Sequence, residues 1–285
     1  MSVRAFEEAI MGDAGRAFAR TQLDLFLDGR DVVLVNGIVV SLLERQADRA
    51  RDALTRLREE NPGHPDLAMF DRLCQALRTG PPRPASDPGL RALIESVKLL
   101  VPTADRLLGN VARAFLLPWW QALAGAALPS ANAEPVLRYW LGLARYHLGE
   151  EREALRLWLA LCWLAPDSFA QWAPALPSAL LRDAWAAFQA RAGDEDRDGG
   201  GPWGVLWFPA WLALRQRWIA HLFHADEIPD TEVPLQALRL LSTMLPLESQ
   251  GYSAELVRQR RRLRQISPTF FRAYREVVVE ARPRP

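Results

Sequence analysis

The stretch that decides the fold is 135–166, "PVLRYWLGLARYHLGEEREALRLWLALCWLAP". Its apolar residues recur at helical spacing in two runs, which predict helices over Pro135–Leu148 and Glu150–Ala165. Gly149 interrupts the first run, and glutamates open the second, where acids interact favourably with the helix dipole. Proline stands in the first turn of the first helix and directly after the second, at Pro166. The segment therefore predicts two helices joined by a tight turn.

Small side chains on these two helices indicate close contact between them. Gly142 lies on the first helix and Ala154 on the second, and such short side chains let antiparallel backbones approach each other. The larger Trp158 and Leu161 stand nearby and are expected to fill the space around the contact.

This segment resembles the tetratricopeptide repeat, whose unit of about 34 residues is one such helix pair. The resemblance implies an all-α fold, an α-α superhelix of stacked antiparallel helix pairs, over 1–192. It is clear over 135–166, partial over 31–62 and otherwise only periodic. Arg138 and Arg145 stand where the family usually has Trp and Tyr. The matching residues are Leu141, Gly142, Gly149, Ala154, Trp158 and Pro166.

A second stretch, "DVVLVNGIVVSLLERQADRARDAL" (31–54), is compatible with two structures. Its β-branched runs on both sides of the dipeptide Asn36-Gly37 are typical of a hairpin. An isolated hairpin is marginal in water, and the only further candidate strands are "GVLWF" (204–208) and "EVVVE" (276–280). We therefore predict a helix over Asp31–Gln46.

Prolines and one glycine-rich stretch divide the rest of the chain. The acidic stretch "GDEDRDGGGP" (193–202) has little to bury and is predicted to be an exposed loop. It is the predicted boundary between a repeat region, 1–192, and a C-terminal helical region, 203–285. Further helices are predicted over Pro65–Thr79, Leu90–Val101, Thr103–Leu117 and Trp119–Leu128.

The N-terminal stretch lacks the apolar core of a secretory signal, and the longest uncharged stretch, Ala114–Ala133, is interrupted by Pro118 and Pro129, so we expect a soluble, cytoplasmic protein. The chain has 285 residues, of which 49% are hydrophobic, so a sizeable core is possible. A net charge of +1 makes the chain as a whole a poor binder of nucleic acid or of anionic membranes. Only Lys98 among the 35 basic residues is lysine, which with abundant Ala and Leu indicates a GC-rich, bacterial genome. Cys74 and Cys162 lie in apolar helical patterns and are expected to be buried thiols.

A tryptophan stripe follows the acidic stretch: Trp203, Trp207, Trp211, Leu214 and Trp218 stand at near-helical spacing. The stripe is either a ligand platform for a sugar, base or peptide or a part of the core. The large apolar area of Trp favours the core.

Two histidines offer a candidate metal site. His221 and His224 are followed by Asp226 and Glu227, and imidazoles with carboxylates can bind a metal ion. The spacing is not that of the zinc-protease motif, whose glutamate is also absent. A metal- or cofactor-dependent enzyme with its site in 203–285 is therefore an alternative, and we predict no cofactor.

The stretch "YSAELVRQRRRLRQI" (252–266) predicts a basic helix. It is either a solvated surface, paired with the acidic residues of 194–198, or a patch that binds RNA, a phosphate-bearing ligand or an acidic partner. The candidate residues are Arg258, Arg260, Arg261, Arg262 and Arg264.

In the proteins that this chain resembles, stacked helix pairs leave a concave groove that binds peptides or partner helices without chemistry. The resemblance therefore implies a non-catalytic adaptor for a protein or peptide partner. The two tyrosines of the first helix have an alternative role in packing between repeats. The residues that the resemblance places in the groove are Asn36, Val136, Tyr139, Leu143, Tyr146 and His147.

Overall fold

The computed structural model describes residues 30–83, 86–126, 134–195, 204–250 and 253–280. Within these ranges the chain is all-helical, with thirteen α-helices, four short 3₁₀-helices and no β-strand. The chain divides into two compact units, Met1–Ala127 and Leu128–Pro285. Among the helices described, none is long and apolar enough to cross a membrane. The predicted all-α class is confirmed.

The helices of the first unit are α1 (Arg30–Leu43), α2 (Ala47–Glu60), α3 (Leu67–Thr79), α4 (Asp87–Leu108) and α5 (Ala112–Ala124), with a 3₁₀-helix at Gly109–Val111. The helix predicted over 31–46 is confirmed as α1, and no hairpin forms there. Ile38 and Leu42 stand four residues apart and are both fully buried, so packing overrides the β propensity of this stretch. A Cβ on Gly37 would lie 4.0 Å from the Cβ of Ala53, which shows how closely α1 approaches α2.

Two prolines lie inside helices of the first unit, Pro102 in α4 and Pro118 in α5. The helix break predicted at Pro102 is therefore wrong, and Pro118, which was expected either to kink or to end its helix, does not end it. Pro118 has no N–H, so the carbonyl of Ala114 loses its helical donor. The guanidinium of Arg45 replaces it, because Nη2 lies 3.0 Å from the oxygen of Ala114 and 2.7 Å from that of Phe115. A contact distant in sequence thus lets the helix continue through its proline.

The α-helices of the second unit are α6 (Pro135–His147), α7 (Glu151–Leu164), α8 (Pro166–Trp172), α9 (Ala179–Glu195), α10 (Phe208–Arg215), α11 (Val233–Gln250), α12 (Ala254–Ile266) and α13 (Pro268–Glu280). Its 3₁₀-helices are Ala173–Ala175, Val205–Trp207 and Arg217–Leu222. The helices predicted in 135–166 are confirmed as α6 and α7. Both candidate strands are helical: 205–207 is a 3₁₀-helix, and 276–280 lies in α13.

The α6–α7 pair packs around the small residues that the sequence singled out. Gly142 and Ala154 are buried, as are Trp158 and Leu161. The indole of Trp158 lies directly against Gly142, where a Cβ would be only 2.7 Å from Cε2 of the indole. Nε1 of Trp158 donates a hydrogen bond to the carbonyl of Tyr139 at 3.2 Å. The absence of a side chain at Gly142 therefore makes room for the largest side chain of α7.

Aromatic side chains from α8, α9 and α10 form the centre of the second unit. The ring centroids of Phe169 and Trp185 are 5.3 Å apart, those of Trp185 and Phe208 5.1 Å, and those of Phe188 and Trp211 5.4 Å. The planes of these rings are nearly perpendicular or tilted relative to each other, an arrangement that aromatic pairs prefer. The core includes residues on both sides of 193–202, the stretch predicted as a domain boundary.

The described members of the tryptophan stripe belong to this core. Trp211 and Leu214 are buried, and Trp218 is half-buried against the core. The ring of Trp207 lies 5.0 Å from that of Phe270 in α13. Trp203 lies outside the described residues.

Candidate functional site

The residues predicted to line a groove on α6 are mostly engaged in packing. The ring centroid of Tyr139 lies 4.9 Å from that of Trp172 in α8, and burial raises the pKa of Tyr139. The hydroxyl of Tyr146 donates to the carbonyl of Pro177 at 3.3 Å. These contacts match the packing role that was the alternative for the two tyrosines.

The other predicted groove residues of the second unit differ in exposure. Leu143 is half-buried against the core, and His147 is half-buried beside the ring of Tyr146. Val136 is exposed, with 40% of its surface accessible. Val136 is therefore the one predicted groove residue on α6 that is exposed rather than half-buried.

Asn36 lies in α1 of the first unit, and its side-chain nitrogen is buried. No described residue accepts a hydrogen bond from that nitrogen. Because this nitrogen is not accessible to solvent, it cannot donate a hydrogen bond to the backbone of a peptide bound at the surface.

The two histidines of the candidate metal site are exposed and do not share a helix. His221 lies in the 3₁₀-helix 217–222, and His224 follows that helix. The backbone N–H of His224 donates to Oε2 of Glu227 at 3.2 Å, and Oε1 of Glu227 pairs with Arg156 at 2.5 Å. No three His, Cys, Asp or Glu side chains converge on a metal position within the described residues.

The five arginines predicted as an anionic-partner patch have two different surroundings. Arg260 is directed into the fold, where Nη2 lies 2.6 Å from Oε1 of Glu248 and Nε lies 2.9 Å from the hydroxyl of Tyr274. It therefore fastens α12 to α11 and α13. The exposed members are Arg258, Arg261, Arg262 and Arg264.

A cleft of about 720 Å³ opens between α9, α10 and α13, and we call it the three-helix cleft. Its described lining residues are Leu180, Asp183, Ala184, Ala187, Arg191, Trp211, Leu212, Leu214, Arg215, Gln216, Ala273, Glu276 and Val277. From Leu180 to Arg191 the wall runs along about 16 Å of the α9 axis. The cleft is thus long enough for about three turns of a docked helix.

The shape of the cleft follows from the two faces of α9. On one face, Leu181, Trp185 and Phe188 are buried in the aromatic core. On the other, Ala184 and Ala187 line the cleft with short side chains. Large residues on one side anchor the helix while alanines on the other leave space, so the cleft is a consequence of this sequence pattern.

Charged groups of both signs border the cleft, and two of them form no ion pair with any described residue. The guanidinium of Arg215 lies over the ring of Trp211, 4.5 Å from its centroid, and the side chain is exposed. The carboxylates of Asp183 and Glu276 are exposed, and no described residue forms an ion pair with either. The cleft therefore combines apolar walls with polar groups that are available to a ligand.

A buried polar cluster holds the α13 wall in place. Glu248 accepts hydrogen bonds from Arg260 and from the hydroxyl of Tyr274, and the Glu248 side chain is only 9% exposed. Burial, together with the hydrogen bond to Glu248, raises the pKa of Tyr274 to about 12. The cluster joins α11, α12 and α13 and thereby positions Ala273 and Glu276 at the cleft.

Sequence reasoning did not find the three-helix cleft. Its walls come from three segments, 180–191, 211–216 and 273–277, whose proximity depends on packing. The one local signal was the pair Ala184 and Ala187, on the face of α9 opposite its large aromatic residues.

The comparisons with known proteins returned nothing: no family model, no curated protein and no solved structure matches the chain.

Proposed function

We propose that this protein is a non-catalytic helical adaptor that binds a helix or peptide segment of a protein partner in the three-helix cleft. The observation that carries the proposal is the cleft itself, which combines apolar walls about 16 Å long with the carboxylates of Asp183 and Glu276, neither of which forms an ion pair with a described residue. Exposed charges at the edge of an apolar depression are typical of a binding surface with a polar rim.

The chemistry of the cleft indicates what the partner segment presents. Ala184 and Ala187 leave room for an apolar side chain to pack between α9 and α13. Among the described residues, the carboxylates of Asp183 and Glu276 form no ion pair, whereas the guanidinium of Arg215 lies over the ring of Trp211. A segment with an apolar side chain flanked by basic ones would satisfy both features, since opposite charges across an interface favour association.

The repeat-like architecture is part of the proposal and rests on two helix pairs. In each pair a glycine of the first helix faces the second helix, Gly37 towards Ala53 and Gly142 towards Trp158. Helix pairs of this kind, stacked in order, form the binding scaffolds of tetratricopeptide-like proteins.

The side chains that line the cleft favour binding over group transfer. Among the described lining residues, Asp183 and Glu276 are the groups able to act as nucleophile or base, and no His, Cys, Ser, Thr, Lys or Tyr lines the cleft with them. The lining is instead made of Leu, Ala, Val and Trp with charged residues at its edge.

The proposal is tested by filling the cleft with a large side chain, because a partner that binds in the cleft should then be lost. Ala187→Phe places a large ring in the cleft, while Ala186→Phe adds the same ring to an exposed position of α9 that does not line it. We expect affinity purification from cells that produce the protein to retain a partner with the wild type and with Ala186→Phe, and to lose it with Ala187→Phe. A partner retained equally by all three proteins would contradict the assignment of the cleft.

A second arm separates a peptide from a small molecule. The recovered partner is reduced to overlapping peptides, and their affinities for the wild type and for Ala187→Phe are compared by fluorescence anisotropy. We expect a helical peptide with basic and apolar residues to bind the wild type at least about tenfold more tightly than it binds Ala187→Phe. The adaptor function would be overturned if no peptide of the partner binds the wild type. It would also be overturned if the cleft binds a small molecule and no peptide.

A further inference from the structure

The exposed side of α12 is a concentrated positive surface. Arg258, Arg261 and Arg262 stand at i, i+3 and i+4 and so share one side of the helix, and Arg264 is exposed beside them. We call these four residues the α12 arginine face. On the opposite side, Leu256 and Leu263 are buried, so packing fixes which side of α12 faces solvent.

Among the described residues, little neutralises this surface; the acidic residues 196–198, offered above as its partner, lie outside the described residues. Arg258 forms an ion pair with Glu255 at 3.2 Å, but no described residue pairs with Arg261, Arg262 or Arg264. Arg272 and Arg275 of the following helix are also exposed and have no partner among the described residues. Like charges three and four residues apart repel each other. The arrangement is therefore unfavourable in the free chain and becomes favourable against an anionic partner.

The side chains around the α12 arginine face restrict the kind of anionic partner that it can bind. No large apolar or aromatic side chain is exposed on the described parts of α12 and α13. Single-stranded nucleic acid is bound through exposed aromatic rings that stack on bases, and peripheral helices enter membranes through exposed apolar residues. Neither feature is present on the described parts of these two helices, so recognition by charge alone remains.

The small extent of the face then favours an acidic peptide over a nucleic-acid duplex. Arg258 to Arg264 covers only about 9 Å of helix axis, which a short acidic peptide can span. A duplex is held through many phosphate contacts, and a chain of net charge +1 is a poor electrostatic binder of such a polyanion. Arginine forks also bind carboxylates through paired hydrogen bonds. We propose that the α12 arginine face binds an acidic peptide segment of a protein partner, independently of the three-helix cleft.

The probe is a fluorescent peptide of about twelve residues rich in Glu and Asp, which extended would cover the face several times over. Its affinity is measured by anisotropy at about 50 mM salt, where surface charge is weakly screened. We compare wild type with the triple variant Arg261→Gln, Arg262→Gln and Arg264→Gln. The matched control is Arg49→Gln, Arg51→Gln and Arg56→Gln, three exposed arginines of α2, which changes net charge by the same amount.

We expect the α12 variant to bind the probe at least about tenfold more weakly than wild type and the α2 variant less than about twofold more weakly. All three proteins should unfold at the same temperature, since the substituted side chains are exposed. Equal loss in both variants, or no binding by wild type at low salt, would overturn the proposal. Tighter binding of wild type to a duplex RNA or to anionic vesicles than to the peptide would also overturn it.

Discussion

The indole of Trp158 occupies the space that a side chain on Gly142 would need. A Cβ at position 142 would lie 2.7 Å from Cε2 and 2.8 Å from Cδ1 of the indole, distances that real Cβ contacts do not reach. Trp158 is fully buried and hydrogen-bonded to the Tyr139 carbonyl, so moving its ring would break that hydrogen bond and disturb its neighbours in the core. This one contact sets how closely α6 and α7 approach.

Gly142→Ala is expected to destabilise the second unit. Alanine favours a helix over glycine by about 1 kcal/mol, but the overpacking against Trp158 costs about 1–3 kcal/mol and disrupts its hydrogen bond. Gly37→Ala is the matched control, because its Cβ would meet only the Cβ of Ala53 at 4.0 Å. Denaturant unfolding should show a lower midpoint for Gly142→Ala and an unchanged or higher one for Gly37→Ala. Equal stabilisation by both substitutions would show that Trp158 yields easily.

Neutralising the carboxylates of the three-helix cleft should weaken partner binding without loss of stability. Asp183→Asn with Glu276→Gln removes the two unpaired negative charges, and Glu59→Gln with Glu60→Gln removes two exposed charges from α2. We expect the cleft variant to lose about tenfold in affinity for the basic partner peptide, mostly at low salt. If the two double variants bind that peptide equally, the partner does not use these carboxylates.

Two neighbouring arginines of α12 should respond very differently to the same substitution. Arg260→Met leaves the Glu248 carboxylate buried without its cation and is expected to lower the free energy of unfolding by about 3 kcal/mol. Arg261→Met alters an exposed side chain and should change it by less than about 0.5 kcal/mol. Thermal unfolding of the two variants measures the difference. Similar stabilities would mean that the cluster of Glu248, Arg260 and Tyr274 contributes little.

The same cluster makes stability sensitive to alkaline pH. The pKa of Tyr274 is raised to about 12 in the folded protein, against about 10 in an unfolded chain. The folded state therefore keeps the phenolic proton longer, and its advantage is complete below about pH 10 and disappears as the pH rises towards about 12. We expect wild type to lose more unfolding free energy between about pH 9 and 11.5 than Tyr274→Phe. Parallel losses in the two proteins would assign the alkaline transition to other groups.

Both cysteines should be unreactive while the protein is folded. Cys74 and Cys162 are free and buried, as the sequence predicts. Burial raises the pKa of Cys74 to about 11 and also raises that of Cys162, so the reactive thiolate is scarce at neutral pH. A thiol reagent such as DTNB should label neither residue until denaturant is added, and should then label both. Rapid labelling of the native protein would indicate that one of the helical units opens readily.

The paired helices could be predicted from sequence because their determinants are local. In 135–166 the spacing of apolar residues, the break at Gly149 and the prolines at the ends are read directly along the chain. The contact of Gly142 with α7 could also be anticipated, since helices joined by a short turn pack against each other. Continuation of the helix through Pro118 could not be predicted locally, because the partner of the Ala114 carbonyl is Arg45, far away in sequence.

What the sequence by itself determined is the helical class, the pairing of α6 with α7 and the burial of the two cysteines, since each depends on periodic burial within one segment. Only the tertiary structure decided that Tyr139 and Tyr146 pack against 166–178, that Arg260 points inward while Arg261 and Arg262 point outward, and that a cleft lies beside Ala184 and Ala187. The physical reason is that a side chain's surroundings are set by whichever distant helix covers it. Periodicity along one helix defines its faces, and packing between helices determines which of those faces remain open.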